Sequence, residues 1–277
     1  MSWSIIEGMS DSVETRFRYG RDTGQPRARA MNVNAFLEFD ESMFENVTAM
    51  VKNGRPGAGT FSIDKEGFEL KRSGTSVRDF YSKDEVESLY YPEVEALIKQ
   101  VTGASRVVVF DHTLRTGDRN KQLEKQIREP VMAVHNDYTE DSAPQRVRDL
   151  LPDEADALLK HRFQVVQVWR PVHVPAVRSP LGICDASSIN KKDLLRTELH
   201  YGDRVGEIYH IAYNPSHQWF YFPVMQPDEA LVFKCYDSLA NGCARFTAHS
   251  AFEDPTTPDN APARESIEAR ALAFFEE

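Results

Sequence analysis

Cysteine is scarce in this chain of 277 residues, with only Cys184, Cys235 and Cys243. They are widely spaced and form no C-x-x-C pair, which excludes a disulfide frame and a cysteine zinc site and fits reduced thiols in a cytoplasmic protein. No apolar run reaches membrane-spanning length. The start, M-S-W-S-I-I-E-G-M, has neither the basic region nor the apolar core of a secretory signal. Positive charge is also short: 33 basic against 43 acidic residues leave a net charge of −10. That argues against a nucleic-acid partner, which needs a basic face. Three of the 14 glycines cluster in one loop, G-R-P-G-A-G-T from Gly54 to Thr60. No buried strand precedes it and no lysine follows, so it reads as a plain turn and not as a phosphate cradle. There is no repeat of fixed period and no low-complexity linker.

Hydrophobic residues make up 41% of the chain, enough for a sizeable core in one large domain. Residues 1 to about 30 are polar and arginine-rich and read as a loosely packed arm or cover. Phe36, Leu37, Phe39, Met43 and Phe44 suggest a strand followed by a short helix. Thr60 to Ile63 and Phe68 to Leu70, split by D-K-E-G, read as a hairpin. Ser82 and Glu85 have capping-box spacing. Pro92, then Val94, Leu97, Ile98 and Val101, then Gly103 predict a helix with an apolar stripe and a glycine stop. Arg106 to Phe110 predicts a buried strand leading to a loop with Asp111 and His112. Ala143 to Lys160 reads as helical, with a break at Pro152. From Arg162 the texture changes to short strands: Phe163 to Trp169, Leu181 to Asp185, Gly206 to Tyr213, Trp219 to Pro223, Ala230 to Tyr236, and a closing element from Glu265 to Phe275. The fold class this predicts is mainly β with flanking helices, built on one barrel or jelly roll.

The chemistry concentrates in V-M-A-V-H-N-D-Y, Val131 to Tyr138, which predicts a strand ending in His135 and Asp137. Side chains two apart on a strand share a face, so an imidazole and a carboxylate project together. Such a pair suits a first-row metal such as iron(II). His249, in R-F-T-A-H-S-A-F, is the candidate third ligand of a two-histidine, one-carboxylate triad. Downstream, Arg264 and Ser266 also share a strand face. A guanidinium fork beside a hydroxyl suits a carboxylate, here the distal one of a 2-oxo dicarboxylic acid whose keto-acid end chelates the metal. Arg270 falls on the same face as a second anion partner. Trp169, Arg170, Tyr209, Tyr213, Trp219 and Tyr221 are candidate pocket walls, with a plain core role as the alternative for the aromatics. Arg115, Arg170 and Arg270 are candidate anchors for an acidic or amino-acid substrate, with ordinary ion pairs as the alternative. Taken singly, each of these residues has an ordinary structural explanation; together and in this order they point to a metal site.

The order H-x-D, distal His, R-x-S resembles that of the iron(II) and 2-oxoglutarate-dependent oxygenases. More narrowly, the chain resembles the hydroxylase/desaturase group that includes CmcJ-like, AsaB-like and gibberellin-desaturase-like proteins. The likeness is carried by V-F-D-H-T-L-R, V-H-N-D-Y, V-W-R-P-V, D-R-V-G-E-I-Y-H-I-A-Y-N-P-S-H-Q-W-F-Y-F, P-D-E-A-L-V-F-K-C-Y-D-S and the H-S-A-F-E-D-P-T-T-P to R-E-S-I-E-A-R region. It implies a double-stranded β-helix (cupin-like jelly roll) over 106–275, with an inserted helix near 143–160 and residues 1–80 as an elaboration of a single oxygenase domain. It implies iron at His135, Asp137 and His249, 2-oxoglutarate at Arg264 and Ser266, and dioxygen as oxidant. The expected activity is oxidation of an unactivated C–H bond of a small molecule in secondary metabolism, by hydroxylation, desaturation or cyclisation. A methyltransferase is not supported, because no strand-G-x-G-x-x-G-helix unit is present. Two other classes remain: a cupin-like iron oxidase that works without 2-oxoglutarate, and a catalytically silent barrel that binds.

Overall fold

Alternation sets the first strand. In S-V-E-T-R-F-R-Y-G, Val13, Thr15, Phe17 and Tyr19 are buried while Glu14 and Arg16 face out. This period-two pattern is that of a strand with one covered face. The segment is therefore not the loose arm expected from its arginines; it is β1 (Ser12–Gly20). The computed structural model describes residues 10–30, 40–201 and 205–276. Phe36, Leu37 and Phe39 lie outside these residues. The neighbouring segment reverses the expected order, with a short 3-10 turn, Glu41–Met43, leading into a strand.

The remaining strands are β2 (Ala28–Ala30), β3 (Phe44–Asn53), β4 (Phe68–Arg72), β5 (Arg106–Thr116), β6 (His135–Asn136), β7 (Phe163–Pro171), β8 (Leu181–Cys184), β9 (Leu194–His200), β10 (Val205–Ile211), β11 (Trp219–Tyr221), β12 (Glu229–Asp237), β13 (His249–Ala251) and β14 (Glu265–Phe274). They form two sheets, a nine-stranded one ordered β1-β3-β11-β8-β13-β6-β10-β9-β2 and a five-stranded one ordered β4-β12-β7-β14-β5. Pairing is antiparallel except at β11–β3 and β2–β9. Parallel bridges from Arg18 to Ala133 and from Gly20 to Ala212 bring β1 back against the far part of its own sheet, so the large sheet curls. This is the expected jelly-roll class. Strands from the first 80 residues lie inside both sheets: β1, β2 and β3 in one and β4 in the other.

The five-stranded sheet is covered on both faces. Its inner residues Phe163, Val165, Trp169, Leu231, Phe233, Leu272 and Phe274 pack with Leu181 and Ile183 of the facing sheet. Its outer residues Val166, Val168, Val232, Ile267, Ala269 and Ala271 pack on Val94, Leu97 and Ile98 of the helix Tyr91–Thr102. Burial on both faces explains why β7 and β12 read as continuous apolar runs. A third cluster, with Phe17, Tyr19, Val134, Cys184, Tyr209, Trp219 and Tyr221, fills the curl of the large sheet.

Several local expectations change. Thr60 to Ile63 is not one arm of a hairpin. Glu66 and Gly67 donate their N–H groups to Ser62 O, and Gly67 turns the chain with φ +89° into β4, which pairs with β12. Ser82 caps Glu85 N, but the Glu85 carboxylate accepts from the backbone of Arg78 and Asp79 and does not return to Ser82. Asp111 and His112 lie within β5, not in a loop; His112 Nδ1 and Tyr91 Oη are 2.9 Å apart. The helical stretch at 143–160, by contrast, breaks at Pro152 as expected, into Ser142–Leu150 and Ala155–Leu158.

Candidate functional site

Regular pairing in the Val131–Tyr138 segment is shorter than expected, confined to His135–Asn136. The residues before it bond to three different neighbours: Ala251 donates to Val131 O, Val134 donates to Arg18 O, and Ile211 donates to Val134 O. Asn136 then fixes the segment. Its side-chain amide donates to Tyr138 O and Cys235 O and accepts from Thr247 N, two residues before His249. The sharing of one face by His135 and Asp137 thus depends on this clamp as well as on strand pleat.

His135 pairs in register with His249, which pairs on its other side with Ile183 and lies 4.8 Å from the Phe233 ring centroid. The two imidazole centroids are 4.4 Å apart. One donor atom each from His135, Asp137 and His249 all lie within 4.8 Å of one another. The ring nitrogens are assigned by their partners. His135 Nδ1 is 2.8 Å from Ala133 O and His249 Nδ1 is 3.2 Å from Thr247 O. A carbonyl only accepts, so each Nδ1 carries the proton and each Nε2 keeps a lone pair for a metal. Burial, with His135 nearby, pushes His249 down to about 4, so it is neutral near pH 7. Burial alone would raise the Asp137 carboxyl; Arg270 and His135 outweigh it and hold the group ionised, well below the usual carboxylate range.

Arg264 is 2% exposed. Its Nη1 donates to Ser179 O at 2.7 Å and its guanidinium lies 5.5 Å from the Trp169 ring centroid. Its Nε and the Ser266 hydroxyl are buried without a hydrogen-bond partner among the described residues. Burial and the nearby Arg115 push Arg264 down to about 9, the signature of a cation without a matched anion. One cleft connects Arg264 to the histidines. It is lined by Arg115, Val131, His135, Trp169, Leu181, His249, Ser250, Ala251, Arg264 and Glu268. A guanidinium with an unused Nε at one part of the cleft, and at another two imidazoles grouped with the Asp137 carboxylate, fit a metal and a dicarboxylate.

The other candidates divide. Trp169 lines the cleft. Arg115 also lines it, but its fork is engaged by Glu268 at 2.8 and 3.0 Å. Arg270 is not a free anion partner, since it donates to Asp137, Asp111 and Glu268. Arg170 points to the outer side of its sheet, under the Tyr90 ring at 5.2 Å and onto Ser73 Oγ, because it has the parity of Val166 and Val168. Tyr209, Trp219 and Tyr221 belong to the third cluster; Tyr209 pairs with Asn136, so it takes the face opposite His135. Tyr213 is 40% exposed and edges onto Tyr19. Glu268 was not a candidate, although its parity with Arg264, Ser266 and Arg270 was readable in R-E-S-I-E-A-R.

A family model described as "Oxidoreductase/YMDC permease-like domain" matches residues 14–274. The chain is 36% identical to the hydroxylase/desaturase efuI of Hormonema carpetanum, over 97% of each chain. It is 32% identical to the Fe(II)/2-oxoglutarate-dependent dioxygenase nvfI of Aspergillus novofumigatus, over 80% of this chain and 81% of that one. Among solved structures, the iron and alpha-ketoglutarate-dependent endoperoxidase NvfI superposes with a TM-score of 0.85 at 26% identity, covering 97% of this chain and 100% of that one. The chain belongs to this family of Fe(II)/2-oxoglutarate-dependent oxygenases, whose relatives include hydroxylase/desaturase enzymes of fungal secondary metabolism. Among the described residues no helix is long and apolar enough to cross a membrane.

Proposed function

We propose that His135, Asp137 and His249 hold Fe(II), and that Arg264 and Ser266 hold the distal carboxylate of 2-oxoglutarate, in a single oxygenase unit acting on a small molecule. The observation that carries this reading is the buried Arg264, whose Nε has no partner among the described residues and which lines the same cleft as His135 and His249; Ser266, two residues on, has an unused hydroxyl. A buried guanidinium left unpaired is costly, typically by about 3–5 kcal/mol when its partner is removed. A bound carboxylate relieves that cost with a charge-assisted contact. When bound, the iron and co-substrate supply the oxidising power for a C–H bond. The chain's own residues hold and orient. Nδ1–H bonds to Ala133 O and Thr247 O fix both imidazoles, Trp169 covers the Arg264 guanidinium, and Val131 and Leu181 give the cleft apolar walls.

Arg115 and Arg270 are engaged by carboxylates and Arg170 lies on the outer side of its sheet, so the proposed substrate class stays at a small molecule. Three free thiols, two of them buried, support a cytoplasmic setting. The test is anaerobic titration of 2-oxoglutarate into the Fe(II) protein, following the metal-to-ligand charge-transfer band. Arg264→Ala is expected to raise the 2-oxoglutarate concentration required by more than tenfold and to leave metal binding nearly unchanged. Unaltered affinity in that variant moves the anchor elsewhere, and no band in the unmodified protein defeats the co-substrate reading.

A further inference from the structure

We propose that Arg270 is a positioning residue for Asp137, gripping one carboxylate oxygen so that the other is presented to the two histidines. The inference rests on reading His135, Asp137 and His249 as the metal ligands. Arg270 Nε donates to Asp137 Oδ2 at 2.8 Å, while Asp137 Oδ1 lies 3.4 Å from His135 Nε2. The two oxygens therefore have different neighbours. The guanidinium is itself held at its other nitrogens: Nη2 donates to Glu268 Oε1 at 2.8 Å and Nη1 to Asp111 Oδ1 at 3.0 Å. Glu268 is fixed in turn by the Arg115 fork, at 3.0 Å from Nε and 2.8 Å from Nη2.

A planar cation bonded at all three nitrogens to three carboxylates has no freedom to rotate. Asp137 then binds a metal through one oxygen and occupies one coordination position where a chelating carboxylate would take two. That leaves positions for a bidentate co-substrate. The arrangement carries an electrostatic penalty, because a positive charge beside a ligand carboxylate opposes binding of a second cation. The sign of a mutational effect therefore separates orientation from simple charge neutralisation.

The test compares Co(II) affinity, by chelator competition, and the visible Co(II) bands in the unmodified chain, Arg270→Gln and Arg270→Lys, with near-UV circular dichroism to establish folding. Arg270→Lys keeps the charge and loses the three-way fork. Both variants are expected to weaken Co(II) binding by about 10–100-fold, the usual effect of losing a ligand's orienting partner, and to shift the bands. Equal or tighter binding by Arg270→Gln overturns the proposal, as does unchanged affinity and spectrum in Arg270→Lys. Where neither folds, Asp111→Ala removes one grip at a partly exposed position and is expected to weaken Co(II) several-fold; no change overturns the proposal. Failure of the unmodified chain to take up Co(II) defeats the metal reading itself.

Discussion

Glu268 is a buried carboxylate at the centre of the site that is not assigned as a ligand. Burial would raise its pKa, but Arg115 and Arg270 overcome that and pull it to about 2. The sign for stability follows. A carboxyl whose folded value lies below its unfolded value stabilises the fold fully above the unfolded value, and loses that contribution as pH falls through the folded one. For Glu268 the window runs from the ordinary glutamate range down to about 2. The expected outcome for Glu268→Gln is lower thermal stability near pH 7 and a shallower loss of stability on acidification, measured by Tm against pH. A parallel acid limb in both proteins would show that Glu268 contributes nothing to it. In sequence, R-E-S-I-E-A-R displays four residues on one strand face, and only three were read as chemical. Glu268 does not stand out because an acid in an acid-rich chain looks like solvated surface, and the interior position of β14 between β7 and β5 is set by pairing partners far away in sequence.

Single elements show which local signals survive packing. Gly103 was readable as a helix stop because its chemistry is local; it has φ +75°, and its N–H caps Lys99 O. A Cβ there would meet nothing within 4 Å, so Gly103→Ala carries only the left-handed backbone penalty, about 1–2 kcal/mol. Gly67 was not singled out, because its role is set by a distant partner. It has φ +89°, and a Cβ would lie 2.3 Å from Thr247 Oγ1, on the segment that leads into His249. Gly67→Ala is expected to lower Tm more than Gly103→Ala and also to weaken metal binding, whereas Gly103→Ala leaves metal binding intact. Equal Tm losses with no change in metal affinity would refute the coupling. The same division explains other outcomes. β7 and β12 were legible as apolar runs, and His135, Asp137 and His249 as candidate donors. The hairpin at 60–70 and the wall role of Tyr209 and Tyr221 failed because sheet assignment and face are decided by register with remote strands, as Tyr209 opposite Asn136 illustrates.

Across the whole molecule, the site ties together parts that are far apart in sequence. His135 and His249 sit on adjacent strands of the large sheet, and Arg264 and Ser266 flank the start of β14, between β7 and β5 of the small one. The donors converge only in the folded state, so ligands that occupy them must stabilise it by mass action. A ligand at one hundred times its Kd contributes about 2.7 kcal/mol, which for a chain of this size corresponds to a rise of about 5–10 °C in Tm. Co(II) added to the metal-free chain is expected to give such a rise, and His249→Ala is expected to abolish it. With Co(II) saturating, 2-oxoglutarate should add a second increment, because in the proposed binding mode it joins the metal on one sheet to Arg264 on the other. Arg264→Ala should erase that second increment and keep the first. Differential scanning calorimetry on the two variants separates the two contributions. A 2-oxoglutarate increment that persists in Arg264→Ala, or one that appears without metal, would show that the co-substrate does not bridge the sheets through these residues.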